Sequence, residues 1–261
     1  ETGLEKKYFF FDIDGTLIDM NRKKISDKMI EALIRLKERG ILLCLATGRG
    51  PMGVPRFPGV EFDAYLTYNG SYCFDGRQTI YSSPIPTEDV KRVIKNASGI
   101  GRPVSAATKD RLLANGSDKD LEDYYAISKA ELIVAADFDE VVNREAVYQL
   151  MLGCREKDYP ALLEGADGAK IAAWWDRAAD IIPAAGGKGR GIRKVLEHFR
   201  LDAADAAAFG DGNNDIEMFQ AVGTGVAMEN ASERLKAEAD EVCGHVAEDG
   251  IYYYCLERGM I

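Results

Sequence analysis

Three short polar clusters in this 261-residue chain each come directly after an apolar run. The first is Asp12-Ile13-Asp14-Gly15-Thr16, behind Tyr8-Phe9-Phe10-Phe11. Two carboxylates about 4 Å apart repel by about 4 kcal/mol at an effective dielectric of about 20, so they share a cavity only with a cation, a shared proton or open water. The same residues also suit a plain acidic turn at a strand end, with Gly15 making the bend. Thr47-Gly48-Arg49 follows Ile41–Ala46. A hydroxyl and exposed backbone N–H groups at such a junction suit a phosphate oxygen, although ordinary turns share this composition. Gly210-Asp211-Gly212-Asn213-Asn214-Asp215 follows Ala206–Phe209. Its glycines permit close backbone approach, and its acids and amides offer the oxygen ligands that a hard cation such as Mg²⁺ takes. A solvent-facing turn is the alternative. A fourth element is Lys188 in Gly186-Gly187-Lys188-Gly189. It is no Walker loop, because Ile182 stands where the first Gly belongs and Gly189 where Ser or Thr belongs. A Lys opening a helix there can neutralise a bound phosphate; most lysines are simply solvated.

Placing these clusters requires strands that end at them. Tyr8–Phe11 is continuously apolar, as a central parallel strand covered on both faces would be. Ser26 caps a predicted helix that runs to about Arg39, with Met29, Ile30, Leu33 and Leu36 on one face and Gly40 as its stop. With the strand Ile41–Ala46 this makes a βαβ unit, and ligands of open α/β sheets bind outside the carboxyl ends of the strands. Gly and Pro crowd residues 50–59 and exclude a long helix there. Ala64–Tyr68 reads as a further strand. Between residues 83 and 183 the rhythm changes. Short strands (Val104–Thr108, Arg111–Ala114, Val147–Leu152, Lys170–Trp175) mix with helices (Glu88–Asn96, Asp118–Ile127). After Lys188 come a helix to about Arg200, strands Ala206–Phe209 and Gly225–Met228, and helices over Asp215–Ala221, Ser232–Ala239 and Gly250–Arg258. The predicted fold is therefore α/β: a Rossmann-like parallel-sheet core from residues 1–82 and 184–261, with an inserted α+β module at 83–183.

Bulk composition narrows the partners. A formal charge of −10 argues against nucleic acid or an anionic membrane surface, both of which reward clustered Lys and Arg. No apolar run approaches the ~18 residues of a membrane span. Cys44, Cys73, Cys154, Cys243 and Cys255 are odd in number and lack CxxC spacing, as reduced core thiols of a cytoplasmic protein would be. Glu1-Thr2-Gly3 carries neither an initiator Met nor a secretory pattern and reads as an expression remnant. Trp174, Trp175, Asp176, Arg177 and Asp180 lie near the return from the inserted module and are candidates for substrate contact, with packing expected for at least one Trp.

The order Asp-x-Asp-Gly-Thr, Thr-Gly-Arg, Lys, Gly-Asp-Gly-x-Asn-Asp resembles the haloacid-dehalogenase-like phosphatases, specifically Cof-type sugar-phosphate phosphatases with a type IIB cap. Tyr68-Asn69-Gly70, Val226-Ala227-Met228 with Asn230-Ala231, and Glu248-Asp249-Gly250-Ile251 resemble that family too. The resemblance implies Mg²⁺-dependent hydrolysis of a small phosphorylated metabolite through an aspartyl phosphate on Asp12. It implies that Asp14 acts as general acid and base, and that Thr47, Gly48, Lys188 and Asn214 hold the phosphoryl oxygens. The metal would lie on the Asp12 carboxylate, the Asp14 backbone carbonyl and Asp211, with Asp215 orienting Lys188 or a water on the metal. A phosphomutase on the same core and a phospho-accepting signalling domain are the alternatives. One departure from the family pattern is Gly50-Pro51-Met52-Gly53-Val54-Pro55, which cannot hold the helix that usually follows Thr-Gly-Arg.

Overall fold

The computed structural model describes residues 7–261, so Glu1-Thr2-Gly3 lies outside the described residues. The chain begins with β1 (Tyr8–Phe11), α1 (Asp27–Glu38), β2 (Leu42–Ala46), β3 (Ala64–Thr67), β4 (Tyr72–Phe74) and β5 (Thr79–Ser82). Its middle holds α2 (Thr87–Gly99), β6 (Ser105–Ala107), β7 (Leu112–Ala114), α3 (Lys119–Ile127), α4 (Phe138–Arg144), β8 (Gln149–Gly153), α5 (Tyr159–Leu163), β9 (Ala169–Ala172) and β10 (Ala178–Pro183). The last third comprises α6 (Lys188–Phe199), β11 (Ala206–Gly210), α7 (Ile216–Gln220), β12 (Thr224–Ala227), α8 (Glu233–Glu238), β13 (Glu241–Val242) and α9 (Gly250–Glu257).

Two sheets result. The larger has the order β13-β12-β11-β1-β2-β3-β4-β5, and the smaller has β7-β6-β8-β10-β9. In the larger sheet β1 lies between β2 and β11 with both neighbours parallel to it. Strand order reverses at β1, so the ends of β1 and β11 flank a topological switch point. Only β4 and β5 join it antiparallel, and the smaller sheet is antiparallel throughout.

The four apolar residues of β1 explain why helices cover both faces. Phe9 and Phe11 face α1 and α9, packing with Met29, Leu33, Leu36, Ile251 and Tyr254. Phe10 points the other way, toward Ile192 and Val195 of α6 and Met218 of α7. Phe11 stacks on Phe209 of the neighbouring strand with ring centroids 5.0 Å apart. Ser26 caps α1 by accepting the Met29 N–H at 3.1 Å. The smaller sheet has its own core against α2 and α4, including Val90, Val93, Phe138, Leu150 and Ile181. All five cysteines are buried and unpaired.

Several stretches differ from the reading of the sequence, among them α4, α5 and β13, which were not predicted. The strand predicted at Lys170–Trp175 ends at Ala172, so the two tryptophans sit in the connection to β10 rather than on a strand. β10 itself was not predicted. It is paired on both sides and buried throughout, and so lacks the alternation that marks a half-exposed strand. The hairpin β4–β5 was also missed. Residues 50–55 behave as expected and make only a short 3₁₀ turn, Pro51–Gly53.

Gly70 is where the end of α6 that carries Lys188 docks on the larger sheet. Its φ is +86°, and a Cβ there would lie 2.3 Å from the Gly187 carbonyl oxygen. Gly70→Ala is therefore expected to cost about 2–4 kcal/mol in urea unfolding. Gly76→Ala, which meets no atom within 4 Å, should stay within about 0.5 kcal/mol. Equal effects would show that the close approach at Gly70 is not a constraint.

Candidate active site

Lys188 is the centre of the site. Its side chain is fully buried, and Nζ donates to Asp12 Oδ1 at 2.7 Å and to Asp215 Oδ1 at 2.6 Å. Burial alone would lower the ammonium pKa, but Asp12 and Asp215 outweigh it and raise it above its ordinary value, so the Lys stays charged. The other oxygen of Asp215 accepts the backbone N–H groups of Asp211 and Gly212 at 3.0 and 3.1 Å. Asp215 thus ties the Lys to the loop after β11. Burial pushes its carboxyl up to about 6, with Asp12 adding to the effect and Lys188 opposing it.

Asp211 completes an acid cluster. One carboxylate oxygen each from Asp12, Asp211 and Asp215 lies within 4.8 Å of the others. Thr16 Oγ1 is 3.0 Å from Asp211 Oδ1 and 3.4 Å from Asp12 Oδ2, so one hydroxyl proton serves both. Burial and then the charge of Asp12 push the Asp211 carboxyl well above its ordinary range. Three carboxylates face one ammonium, and that imbalance suits a divalent cation. Asp12 and Asp211 could hold such a cation, whereas both oxygens of Asp215 are already engaged. Gly15 brings Asp211 this close: its φ is +89°, and a Cβ would lie 2.1 Å from Asp211 Oδ2.

Asp14 sits to one side. Both its oxygens accept from Arg49, at 2.9 Å from Nε and 2.6 Å from Nη2, in a bidentate pair. Arg49 Nη1 also donates to the Gly53 carbonyl at 3.0 Å, so the 3₁₀ turn supports this pair. Thr47 Oγ1 accepts the Arg49 N–H at 3.0 Å. Asn230 Nδ2 donates to the Gly15 carbonyl at 2.8 Å and Asn230 Oδ1 accepts the Val246 N–H, which links the first loop to the segment before α9.

A buried amide joins the two sheets at this point. Asn69 Nδ2 donates to Gln149 Oε1 at 2.8 Å and to Asp180 Oδ2 at 2.9 Å. Its Oδ1 accepts from Asn214 Nδ2 at 3.1 Å. Gln149 Nε2 in turn donates to the Gly48 carbonyl at 2.9 Å, and Tyr124 donates to Asp180 Oδ1 at 2.7 Å. Asp12, Asp14, Thr47, Gly48, Asp211 and Asn214 all border one cavity of about 430 Å³. Lys188 lies behind the acids and borders an adjoining groove.

Of the candidates near the return from the smaller sheet, Asp180 and Trp174 reach this cavity. Trp175 stacks on Tyr124 at 5.7 Å, with the Arg177 guanidinium 4.8 Å over it. Arg177 pairs with Asp120 and Asp123, and Asp176 faces the adjoining groove. Sequence reasoning assigned no part to Arg49, Asn69, Gln149 or Tyr124. Arg49 and Asn69 stood within recognised motifs, whereas Gln149 and Tyr124 carry no local signal.

Fold and site together define an α/β enzyme with an acid-rich centre at the carboxyl ends of parallel strands. The chain belongs to the haloacid dehalogenase-like hydrolase family, whose family model matches residues 9–255. It is 34% identical to YkrA of Bacillus subtilis across 99% of this chain and 100% of that one. It is 27% identical to the 5-amino-6-(5-phospho-D-ribitylamino)uracil phosphatase YitU of Bacillus subtilis, covering 94% and 95% of the two chains. The subclass IIB sugar phosphatase BT4131 superposes with a TM-score of 0.89 at 31% identity, over 98% of this chain and 100% of that one. Among the described residues no helix is long and apolar enough to cross a membrane.

Asp180 offers a test of the buried network. Burial pushes its carboxyl from an ordinary 3.8 up to about 6, with Tyr124 and Asn69 opposing the rise. The folded protein thus keeps this proton over a range where the unfolded chain has lost it, so its stability falls as pH rises from about 4 to about 6. Two units correspond to about 3 kcal/mol. Asp180→Asn, a mimic of the protonated form, should gain melting temperature relative to the native protein as pH rises through this window. A difference independent of pH would show that Asp180 is ionised throughout.

Proposed function

We propose that this chain hydrolyses the phosphomonoester of a small phosphorylated metabolite through an aspartyl phosphate on Asp12. The observation that carries this reading is the convergence of Asp12, Asp211 and buried Lys188 from three separated strand and helix ends onto one centre. A carboxylate fixed there by an ammonium can meet phosphorus in line, and phosphoryl transfer asks mainly for such alignment and charge stabilisation.

In this reading Asp12 attacks phosphorus with one carboxylate oxygen while the ester P–O bond breaks. Asp14 gives its proton to the departing oxygen, then takes one from the water that attacks the aspartyl phosphate and frees Asp12. Arg49 holds both Asp14 oxygens in the resting structure, so Asp14 must leave this bidentate contact and take up a proton from water before it can act as the acid. Thr47, the Gly48 N–H, Lys188 and Asn214 hold the phosphoryl oxygens, and Asp215 positions Lys188. Mg²⁺ would be held by the carboxylates of Asp12 and Asp211 and the backbone carbonyl of Asp14. When bound, it offsets the negative charge that the acids and the phosphate bring together.

Residues 83–183 act as a cap that covers the centre and selects the leaving group, with residues 1–82 and 184–261 as the catalytic core. The relatives support a small-molecule substrate: one is named a phosphatase of a phosphoribitylamino-uracil and another a sugar phosphatase.

Phosphate release from a panel of phosphorylated metabolites, with Mg²⁺ and with chelator, tests this reading. Turnover should require the metal. Asp12→Asn should retain the native melting curve and lose at least about 10³-fold in kcat. Lys188→Ala should raise KM and lower kcat by about 10²-fold. Substantial turnover by folded Asp12→Asn would remove it as nucleophile, and unchanged Lys188→Ala kinetics would remove the Lys from the site.

A further inference from the structure

Gln149, the first residue of β8, reaches from the smaller sheet to the loop after β2. Its side chain is buried; Nε2 donates to the Gly48 carbonyl at 2.9 Å and Oε1 accepts from Asn69 Nδ2 at 2.8 Å. A carbonyl only accepts, so the contact with Gly48 fixes which end of the Gln149 amide is which. Its oxygen must then take a donor, which places the NH₂ of Asn69 on Gln149 and Asp180 and turns Asn69 Oδ1 toward Asn214. Asn214 can meet that oxygen only with an N–H, at 3.1 Å. One choice of polarity at Gly48 is thus carried through two amides to a third.

Both ends of this relay finish on groups assigned above to the phosphoryl oxygens. The Gly48 carbonyl and the Arg49 N–H belong to one planar peptide, and that N–H donates to Thr47 Oγ1 at 3.0 Å. A hydroxyl that accepts there keeps its single proton for another acceptor. At the other end, Asn214 spends one N–H on Asn69 and keeps a second. The backbone N–H of Asn69 closes the circuit on the Thr47 carbonyl at 2.8 Å. The fit is close: a Cβ on Gly48 would lie 2.9 Å from Asp180 Oδ2 and 3.3 Å from Asn69 Nδ2. Withdrawing Gln149 would therefore release a peptide on one side of the phosphoryl pocket and an amide on the other.

Resting on the phosphatase reading above, we propose that Gln149 is a positioning residue for phosphoryl binding. Seated between Gly48 and Asn69, its amide lets the smaller sheet aim the Thr47 hydroxyl and the Asn214 N–H at the phosphoryl oxygens, whatever leaving group is attached. Inorganic phosphate, which has no leaving group, is the probe. With Mg²⁺ present, Gln149→Leu should raise its inhibition constant at least about tenfold, within the range of about 5–150-fold typical of coupled sites. The value of kcat/KM should fall by that same factor for p-nitrophenyl phosphate and for any metabolite ester of the panel above that is turned over. Gln149→Glu still accepts from Asn69 but, as a carboxylate, cannot donate to the Gly48 carbonyl. It should show the same kind of loss, and it carries the test where Gln149→Leu does not fold. Ser82→Ala removes a different link between the larger sheet and the residue before β8, the hydrogen bond of Ser82 Oγ with Tyr148 Oη at 2.8 Å. It should leave the phosphate constant within about twofold. A folded Gln149 variant with an unaltered phosphate constant would overturn the proposal while leaving the phosphatase reading intact. So would a loss whose size follows the leaving group, or an equal loss in Ser82→Ala, which would show that any loosening of the two sheets suffices. Release of phosphate from no ester by the native protein would remove the phosphatase reading and this proposal with it.

Discussion

A fully buried ammonium held between two carboxylates is the constraint around which this protein is organised. Removing Lys188 and Asp215 from water is expensive, and such pairs are tolerated only where geometry is good and the remaining lone pairs are satisfied. Here the second oxygen of Asp215 takes two backbone N–H groups, so the acid is saturated. Asp12 differs: one oxygen meets Lys188, and the carboxylate also meets the Thr16 hydroxyl at 3.4 Å and the Asp211 side chain. The ammonium that makes Asp12 tolerable in the interior thus engages one of its oxygens. Among the described residues Asp211 has no cationic partner, and burial followed by the charge of Asp12 raises its carboxyl. A chain with a net charge of −10 meets an anionic ester with a local excess of acid, which a divalent cation would offset.

The second structural problem is to hold a separate antiparallel sheet in register over that centre. Apolar contact between Tyr68, Leu121, Tyr125, Tyr148 and Met151 supplies adhesion. Direction comes from Asn69, a fully buried residue at φ 54° whose side chain bonds to β8, to β10 and to Asn214 at once. Apolar surfaces can slide, whereas a buried amide with specific partners is satisfied in few arrangements. The hydrogen bond from Gln149 to the Gly48 carbonyl then ties the smaller sheet directly to the loop that bears Thr47.

How much of this was legible before folding depends on distance along the chain. The acid clusters and Lys188 announce themselves because each stands at the end of a strand or start of a helix that its own neighbours encode. The βαβ unit was legible for the same reason: Tyr8–Phe11 has no polar residue to interrupt it, and Ser26 and Gly40 mark the ends of α1. The Asp14–Arg49 pair spans 35 residues, and Asn69 with Asp180 spans 111. No window of sequence contains either. β10 was hidden for a different reason, since Ala-Ala-Asp-Ile-Ile-Pro carries a charge where a buried strand should be apolar. That charge is tolerated because Tyr124 and Asn69 solvate Asp180, and both partners come from elsewhere in the fold.

The division between readable and hidden residues follows the division of labour in the site. Bond making needs particular atoms at particular distances, so few residue types serve and they recur in compact motifs at strand ends. Selection of a leaving group needs only shape and polarity, which many residues supply. Met52, Leu112, Ile127 and Trp174 come from four different stretches and have no spacing in common. What unites them is that each borders the same cavity as Asp12 and Asp211. A single change that released Tyr124 from Asp180 would free a phenol at the edge of the cavity.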